Sequence, residues 1–295
     1  MPVHRKQCPA KVNLNLALLG RDDASGMHFI DSIVAKLSLS DTLWAEERPE
    51  TGFAVTFDTA RLGADAPFIN PQDNTLTRAY RALREACGAD LPGLSVRVAK
   101  RIPVGSGLGG GSSDAAGLLR LVRSLAAGEL ALAKRFAAVR QLSETDWLSI
   151  AAQAGADVPA FMVDGPVRVR GFGERVEPLP LPGLEDFVCR LAFSNVALST
   201  AEMYSRVREY SAHNHTELFL EAWRAQGPEA AFARARNDFT PIARQATPQV
   251  AASLDLLSAQ GYPLVAVTGS GSAVFAVVPR HQAPVGESGC YEFLL

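Results

Sequence analysis

The stretch IPVGSGLGGGSSDAAGLLRLV (102–122) decides how the rest of the chain is read. Five glycines, Gly105, Gly107, Gly109, Gly110 and Gly111, fall within seven residues, followed by Ser112, Ser113 and an apolar pattern at helical spacing. Each glycine gives up about 0.5–1 kcal/mol of ordering entropy relative to alanine. Such a run is therefore either a plain connection or a place where backbone must come close to something. Ala115, Leu118, Val122 and Leu125 share one helical face, and Ser112 or Ser113 can cap that helix. Glycine N–H groups running straight into a helix N-terminus form a concave donor array that suits a chain of phosphates.

Three known loop types compete for this stretch. Gly105, Gly107 and Gly110 satisfy G-x-G-x-x-G, and Glu129 lies near the distance expected of a ribose-binding acid. A dinucleotide loop, however, follows a central parallel strand that is apolar on both faces. The segment before this loop carries Arg97, Lys100 and Arg101 and stops at Pro103. A P-loop needs a lysine before its serine, and here Gly111 precedes Ser112. A protein-kinase loop needs companion H-R-D and D-F-G motifs, which the sequence lacks. What survives is the phosphate-binding physics without any of the three signatures.

Outward from the loop, the composition narrows the class. The chain has 295 residues, 47% hydrophobic and 20% charged, which is globular rather than disordered. A net charge of −2 argues against a nucleic acid or membrane surface held by bulk electrostatics, and leaves a small-molecule substrate as the expected partner. The opening MPVHRKQCPAK has no apolar core after it, and no run approaches the roughly 18 apolar residues of a membrane span. Four scattered cysteines, Cys8, Cys87, Cys189 and Cys290, fit a reduced cytoplasmic enzyme with buried thiols. His213 and His215 stand two apart without further ligands nearby, so they read as an ordinary surface loop and no metal site is expected.

The periodicities alternate in type along the chain. KVNLNLAL places Val12, Leu14, Leu16 and Leu18 on one face and Lys11, Asn13 and Asn15 on the other, predicting a half-buried antiparallel strand. IVAKLSLSD alternates again. NPQDNTLTRAYRALREACG turns helical through Leu76, Ala79, Tyr80 and Leu83, with Gly88 as its stop, and LSVRVAKRIP returns to a strand. Helical patterns fill 112–154 up to Gly155. GPVRVRGFGERVEPL reads as a hairpin, FVCRLAF as a strand, 200–259 as helices, and PLVAVTGSGSAVFAVVP as two strands around a turn. Without a regular β-α-β beat, the class is α+β with largely antiparallel sheets and two domains, 1–164 and 165–295.

PVGSGLGGGSSDAA resembles the phosphate-binding signature of the GHMP kinases. PAKVNLNL, DNTLTRA, GADVPAFM, GFGERVEPLP, STAEMY, NDFTPIA and TGSGSAVFA follow the same family's pattern in order, so the resemblance covers nearly the whole chain. The extended glycine-serine form is most similar to the branch whose alcohol acceptor carries a cytidine diphosphate. The resemblance implies a two-domain kinase with its active site in the inter-domain cleft, using ATP as co-substrate with Mg2+.

It implies ATP phosphates held by Pro103, Gly105, Gly107, Leu108, Gly109, Gly110, Gly111, Ser112 and Ser113. It makes Asp157 the catalytic base and Lys11 its electrostatic partner. Asp-x-Pro is also a common helix start, and Lys11 on a strand face is otherwise a solvated lysine. Asn13, His28, Thr200 and Tyr204 are implied as substrate contacts, Asn13 orienting the acceptor through its amide and His28 and Tyr204 meeting the cytidine ring. The sequence departs from the family at Met27, where the branch carries a tyrosine. That departure keeps open a kinase of the same fold acting on a different alcohol. Asp114 has no place in the implied site, and Asn74 suits either a nucleotide contact or a helix cap.

Overall fold

The structure, a computed structural model, describes residues 3–48, 50–63, 66–88, 91–128, 136–194, 196–211, 214–283 and 290–295. Glu129 and His213 lie outside these residues. The order of the main elements begins β1 (Val3–Arg21), β2 (His28–Arg48), β3 (Phe53–Asp58), α1 (Thr75–Cys87), β4 (Gly93–Ala99) and α2 (Gly110–Ala127). It continues with α3 (Glu144–Ala154), α4 (Val158–Met162), β5 (Val167–Gly171), β6 (Arg175–Pro178), β7 (Phe187–Ala192) and α5 (Thr200–Ser205). It closes with α6 (His215–Gln226), α7 (Pro228–Phe232), α8 (Phe239–Ala246), α9 (Pro248–Ser258), β8 (Leu264–Val267), β9 (Val274–Pro279) and β10 (Cys290–Leu294).

The residues gather into two compact units that interleave along the sequence. Unit 1 takes Met1–Ala10, Ser40–Val104 and Gly109–Met162, and unit 2 takes Lys11–Leu39, Gly105–Leu108 and Val163–Leu295. A single cut after residue 164 is what the sequence suggests. The observed grouping instead assigns 11–39 and the loop 105–108 to the later half, because β1 and β2 are long enough to contribute to both units.

In unit 1 the later part of β2 pairs antiparallel with β4 (Leu43↔Val98, Ala45↔Val96), and β3 runs parallel to β4 (Val55↔Val96). Helices α1, α2 and α3 supply the other half of the core, with Leu76, Tyr80, Leu83, Leu118, Val122, Trp147 and Ile150 packed among Leu43, Val96 and Val98. The helix ends follow local chemistry. The Asn74 side chain caps α1 by accepting from Thr77 N, and Gly88 closes it at φ 58°, a left-handed value that glycine adopts without strain. Ser143 and Asp146 form a reciprocal capping box at α3.

The described strand ladders of unit 2 are antiparallel, beside one isolated parallel bridge between Leu16 and Asn237. β5 pairs with β2 and with β6, β10 with β2 and β7, and β9 with β7 and β8. Its core sets Leu16, Leu18, Val267, Val274 and Ala276 against Met203 of α5, Phe239 and Ala243 of α8, and Val250, Leu254 and Leu257 of α9. The two strands around the second glycine turn and the hairpin β5–β6 stand where the alternation predicts them.

Strand β1 corrects one expectation. From Ala10 to Leu18 it is buried on both faces, and Lys11, Asn13 and Asn15 are 3%, 5% and 0% exposed. The polar side is therefore not a solvated face. Each of these groups must find a partner in the interior, because an unpaired buried polar group costs about 1–3 kcal/mol or more.

Candidate active site

The five glycines of the loop divide into two roles. Gly105, Gly107 and Gly109 hold φ of 71°, 82° and 73°, the left-handed region that L-residues avoid. Gly110 and Gly111 instead open α2, whose N-cap is Gly109 with no capping side chain. The expected Ser112 or Ser113 cap gives way because the helix starts ahead of both serines. The first helical bond is Ser113 N–H to Gly109 O at 2.9 Å, so the N–H groups of Gly110, Gly111 and Ser112 have no helical acceptor. Ser113 Oγ is buried and without a hydrogen-bond partner among the described residues. A Cβ on Gly110 would meet Ile102 at 3.0 Å and Lys100 Nζ at 3.2 Å, so the helix mouth packs closely on the chain that leads into it.

That packing rests on a buried ion triad that composition does not reveal. Lys100 Nζ donates to Asp41 and, at 2.7 Å, to Asp114 Oδ2 in the first turns of α2, with all three side chains buried. Asp41 Oδ1 also accepts from the N–H groups of Arg101 (2.5 Å) and Ile102 (2.9 Å), which fixes the entry to the loop. Burial pushes the Asp114 carboxyl up to about 7 against the pull of Lys100, and the Asp41 charge adds to the rise. Asp114 is thus turned inward, away from any phosphate at the helix mouth. The only signal in the sequence was a charged residue directly after the two serines, at the start of the apolar pattern.

In unit 2 the remainder of the loop, Gly105–Leu108, is stitched to the second glycine-rich turn. Ala273 N–H donates to Ser106 O at 2.9 Å, and Thr268 Oγ1 donates to Gly107 O at 3.3 Å. A Cβ on Gly107 would lie 2.2 Å from Thr268 O and 2.9 Å from Gly271 O, so only glycine permits this approach. Lys11 N–H donates to Leu108 O at 2.9 Å, and Lys11 Nζ donates to Asn13 Oδ1 at 2.7 Å. Asn13 Oδ1 also accepts from Gly269 N–H (2.8 Å) and Thr268 Oγ1 (3.3 Å), while its Nδ2 donates to Ser32 Oγ (2.8 Å). Asn13 therefore spends its amide on Lys11 and the second turn. It positions the lysine beside both glycine loops, where the sequence suggested a contact to the acceptor.

The aromatic candidates also come together in unit 2. The His28 and Tyr204 rings lie 4.7 Å apart between centroids, and Tyr204 stands edge-on to Phe239 at 4.9 Å. Tyr210, which the sequence gave no reason to select, lies 5.8 Å from His28, with its Oη 3.2 Å from His28 Nδ1. Met27 is exposed next to them. Thr200 begins α5, its Oγ1 accepting from Ser270 Oγ at 3.2 Å, so this helix start is tied to the second glycine turn. Ser199 caps α5 by accepting from Glu202 N.

Asp157 belongs to unit 1, exposed in the turn directly before α4 and two residues after Gly155. The candidates thus split, with Gly109 to Ser113 and Asp157 in unit 1, and Lys11, Asn13, His28, Gly105, Gly107, Leu108, Thr200 and Tyr204 in unit 2. Pro103 falls in unit 1, and Asn74 acts as a cap.

His215 is not on a surface loop. It is 7% exposed at the start of α6, with Nδ1 3.1 Å from Asn15 Oδ1 and Nε2 3.1 Å from Asp238 Oδ1. The buried Asn15 supplied a partner that only the tertiary fold could bring. Among the described residues, no three His, Cys, Asp or Glu side chains gather as metal ligands, and no helix is long and apolar enough to cross a membrane.

Comparison with known proteins places these features in a family. Residues 74–165 match the GHMP kinases N terminal domain. A 4-diphosphocytidyl-2-C-methyl-D-erythritol kinase of Polaromonas sp. strain JS666 is 36% identical over 92% of this chain and 82% of its own length. The chain belongs to the GHMP kinases, in the 4-diphosphocytidyl-2-C-methyl-D-erythritol kinase branch. A kinase of the same name from Thermotoga maritima is 35% identical over 97% of this chain and 93% of its own. A crystal structure of a 4-(cytidine 5'-diphospho)-2C-methyl-D-erythritol kinase superposes with a TM-score of 0.66 at 29% identity, covering 93% of this chain and 90% of that one.

Proposed function

We propose that this enzyme transfers the γ-phosphoryl group of ATP to the 2-hydroxyl of 4-diphosphocytidyl-2-C-methyl-D-erythritol, a step of non-mevalonate isoprenoid precursor synthesis. The observation that carries this reading is the match, over nearly the full length of both chains, to relatives bearing that kinase's name. ATP is the co-substrate. Its phosphates meet the N–H groups of Gly110, Gly111 and Ser112 at the mouth of α2, with Pro103, Gly105, Gly107, Leu108 and Gly109 shaping the loop and Ser113 bracing it. The inward Asp114 does not fit a magnesium ligand, so Mg2+ would come with the nucleotide and be held largely by phosphate oxygens.

Phosphoryl transfer is carried mainly by positioning and by charge aimed at the reacting oxygens. Asp157, exposed and so reachable by an acceptor, takes the hydroxyl proton as the oxygen bonds to phosphorus. The Lys11 ammonium, held by Asn13, stabilises the negative charge developing on that oxygen. His28 and Tyr204 receive the cytosine ring, and Thr200 supports that wall from the start of α5. The enzyme acts in the cytoplasm, where its free cysteines stay reduced. The test is ADP release when 4-diphosphocytidyl-2-C-methyl-D-erythritol is added to enzyme, ATP and Mg2+. Release that depends on this acceptor supports the reading, and release only with some other alcohol overturns it.

A further inference from the structure

The substitution at Met27 leaves a question about the base-binding wall that the fold itself answers. A methionine can offer a polarisable contact but no flat face, so position 27 cannot stack on a base as a ring would. The adjacent His28 nevertheless sits against two tyrosines, Tyr204 at 4.7 Å and Tyr210 at 5.8 Å between centroids, both tilted by just over 40°. Tyr210 comes from the segment after α5, far from residue 27 in sequence.

Its position is fixed from behind. The next residue, Ser211, donates its N–H to Leu18 O at 2.9 Å and its hydroxyl to Asp238 Oδ2 at 2.8 Å, which ties the segment to β1. Tyr210 is 38% exposed, so its side chain is accessible to a ligand. The phenol also sets the state of His28. With Tyr210 Oη donating to Nδ1, the imidazole carries its proton on Nε2, where it can donate to a ring nitrogen or carbonyl of a base. Burial, helped by the charge of Arg21, lowers the His28 pKa and so favours the neutral ring.

We propose that Tyr210 is a specificity residue of this enzyme, supplying the aromatic wall for the cytosine ring that Met27 does not. The inference rests on the cytidyl acceptor reading given above, and it adds a residue and a division of labour to it. Tyr204 and Tyr210 provide faces, and His28 provides the hydrogen bond between them.

The experiment is calorimetric titration of cytidine diphosphate into the full chain, with the ATP site filled by a non-hydrolysable analogue. Tyr210→Ala should weaken binding by about 5- to 150-fold, the range found when a base loses an aromatic partner. Tyr210→Phe should retain most of the affinity, because the ring face is kept. Met27→Tyr placed in the Tyr210→Ala chain should recover most of the loss by restoring a ring on the other side. Tyr210→Ala binding as tightly as the parent overturns the proposal, and so does Tyr210→Phe binding as weakly as Tyr210→Ala. A parent chain with no affinity for cytidine diphosphate overturns the proposal and the acceptor reading together, which separates the two failures.

Discussion

Gly107→Ala tests the joint between the two glycine turns. The added methyl carbon would sit 2.2 Å from Thr268 O and 2.9 Å from Gly271 O, so the second turn must retreat by about 1 Å to reach ordinary contact. Retreat strains the bonds that hold that turn: Ala273 N–H to Ser106 O, Gly269 N–H to Asn13 Oδ1 and Thr268 Oγ1 to Gly107 O. At about 1 kcal/mol each they account for about 3 kcal/mol. An alanine held at φ 82° adds about 1–2 kcal/mol. The expected loss is therefore about 4–5 kcal/mol. Gly105→Ala is the control, since φ is also left-handed (71°) but the nearest atom to its Cβ is 3.4 Å away, leaving only the backbone cost of about 1–2 kcal/mol. Urea unfolding of both variants measures the difference. Equal losses in the two would refute the claim that close approach of the turns, rather than backbone conformation alone, demands glycine at 107.

Three further outcomes follow from the interior. Lys100→Met leaves Asp41 and Asp114 buried without their cation and should cost about 3–5 kcal/mol by urea unfolding. Because the Asp114 carboxyl is raised from 3.8 to about 7 on folding, the native chain binds the extra proton; stability should fall as pH rises between those values, and Asp114→Asn should flatten that slope. A methyl on Gly117 would lie 2.4 Å from the buried Cys8 Sγ, so Gly117→Ala should destabilise by about 1–3 kcal/mol despite its better helix propensity, and Cys8→Ala in the same chain should relieve most of that in thermal melts.

The sequence made local structure legible where one segment decides it. α1 ends at Gly88, the β5–β6 hairpin turns at Gly171 and Gly173, and Gly105, Gly107 and Gly109 take left-handed values in the glycine loop. It failed where a side chain's environment depends on distant partners. Alternation in β1 separates polar from apolar residues but cannot say that the polar side is covered, and Asn13 finds Gly269 across 256 positions. His215 reads as a surface residue until Asn15 and Asp238 are placed against its two nitrogens. Asp114 looks like an awkward charge beside phosphates, because nothing in its own helix predicts that Lys100 turns it inward. Tyr210 carries no motif, and only its contact with His28 reveals it.

The most direct test of the central claim is product formation followed by phosphorus NMR, with enzyme, ATP, Mg2+ and 4-diphosphocytidyl-2-C-methyl-D-erythritol, comparing the parent chain with Asp157→Asn. The parent chain should give a new phosphomonoester signal. Asp157→Asn should form product at a rate at least about 100-fold lower, as loss of a general base entails, with ATP and cytidine diphosphate still bound by the variant. Asp157→Asn forming product at the parental rate would contradict the assignment of Asp157 as the base, and a parent chain forming no phosphomonoester would contradict the kinase itself.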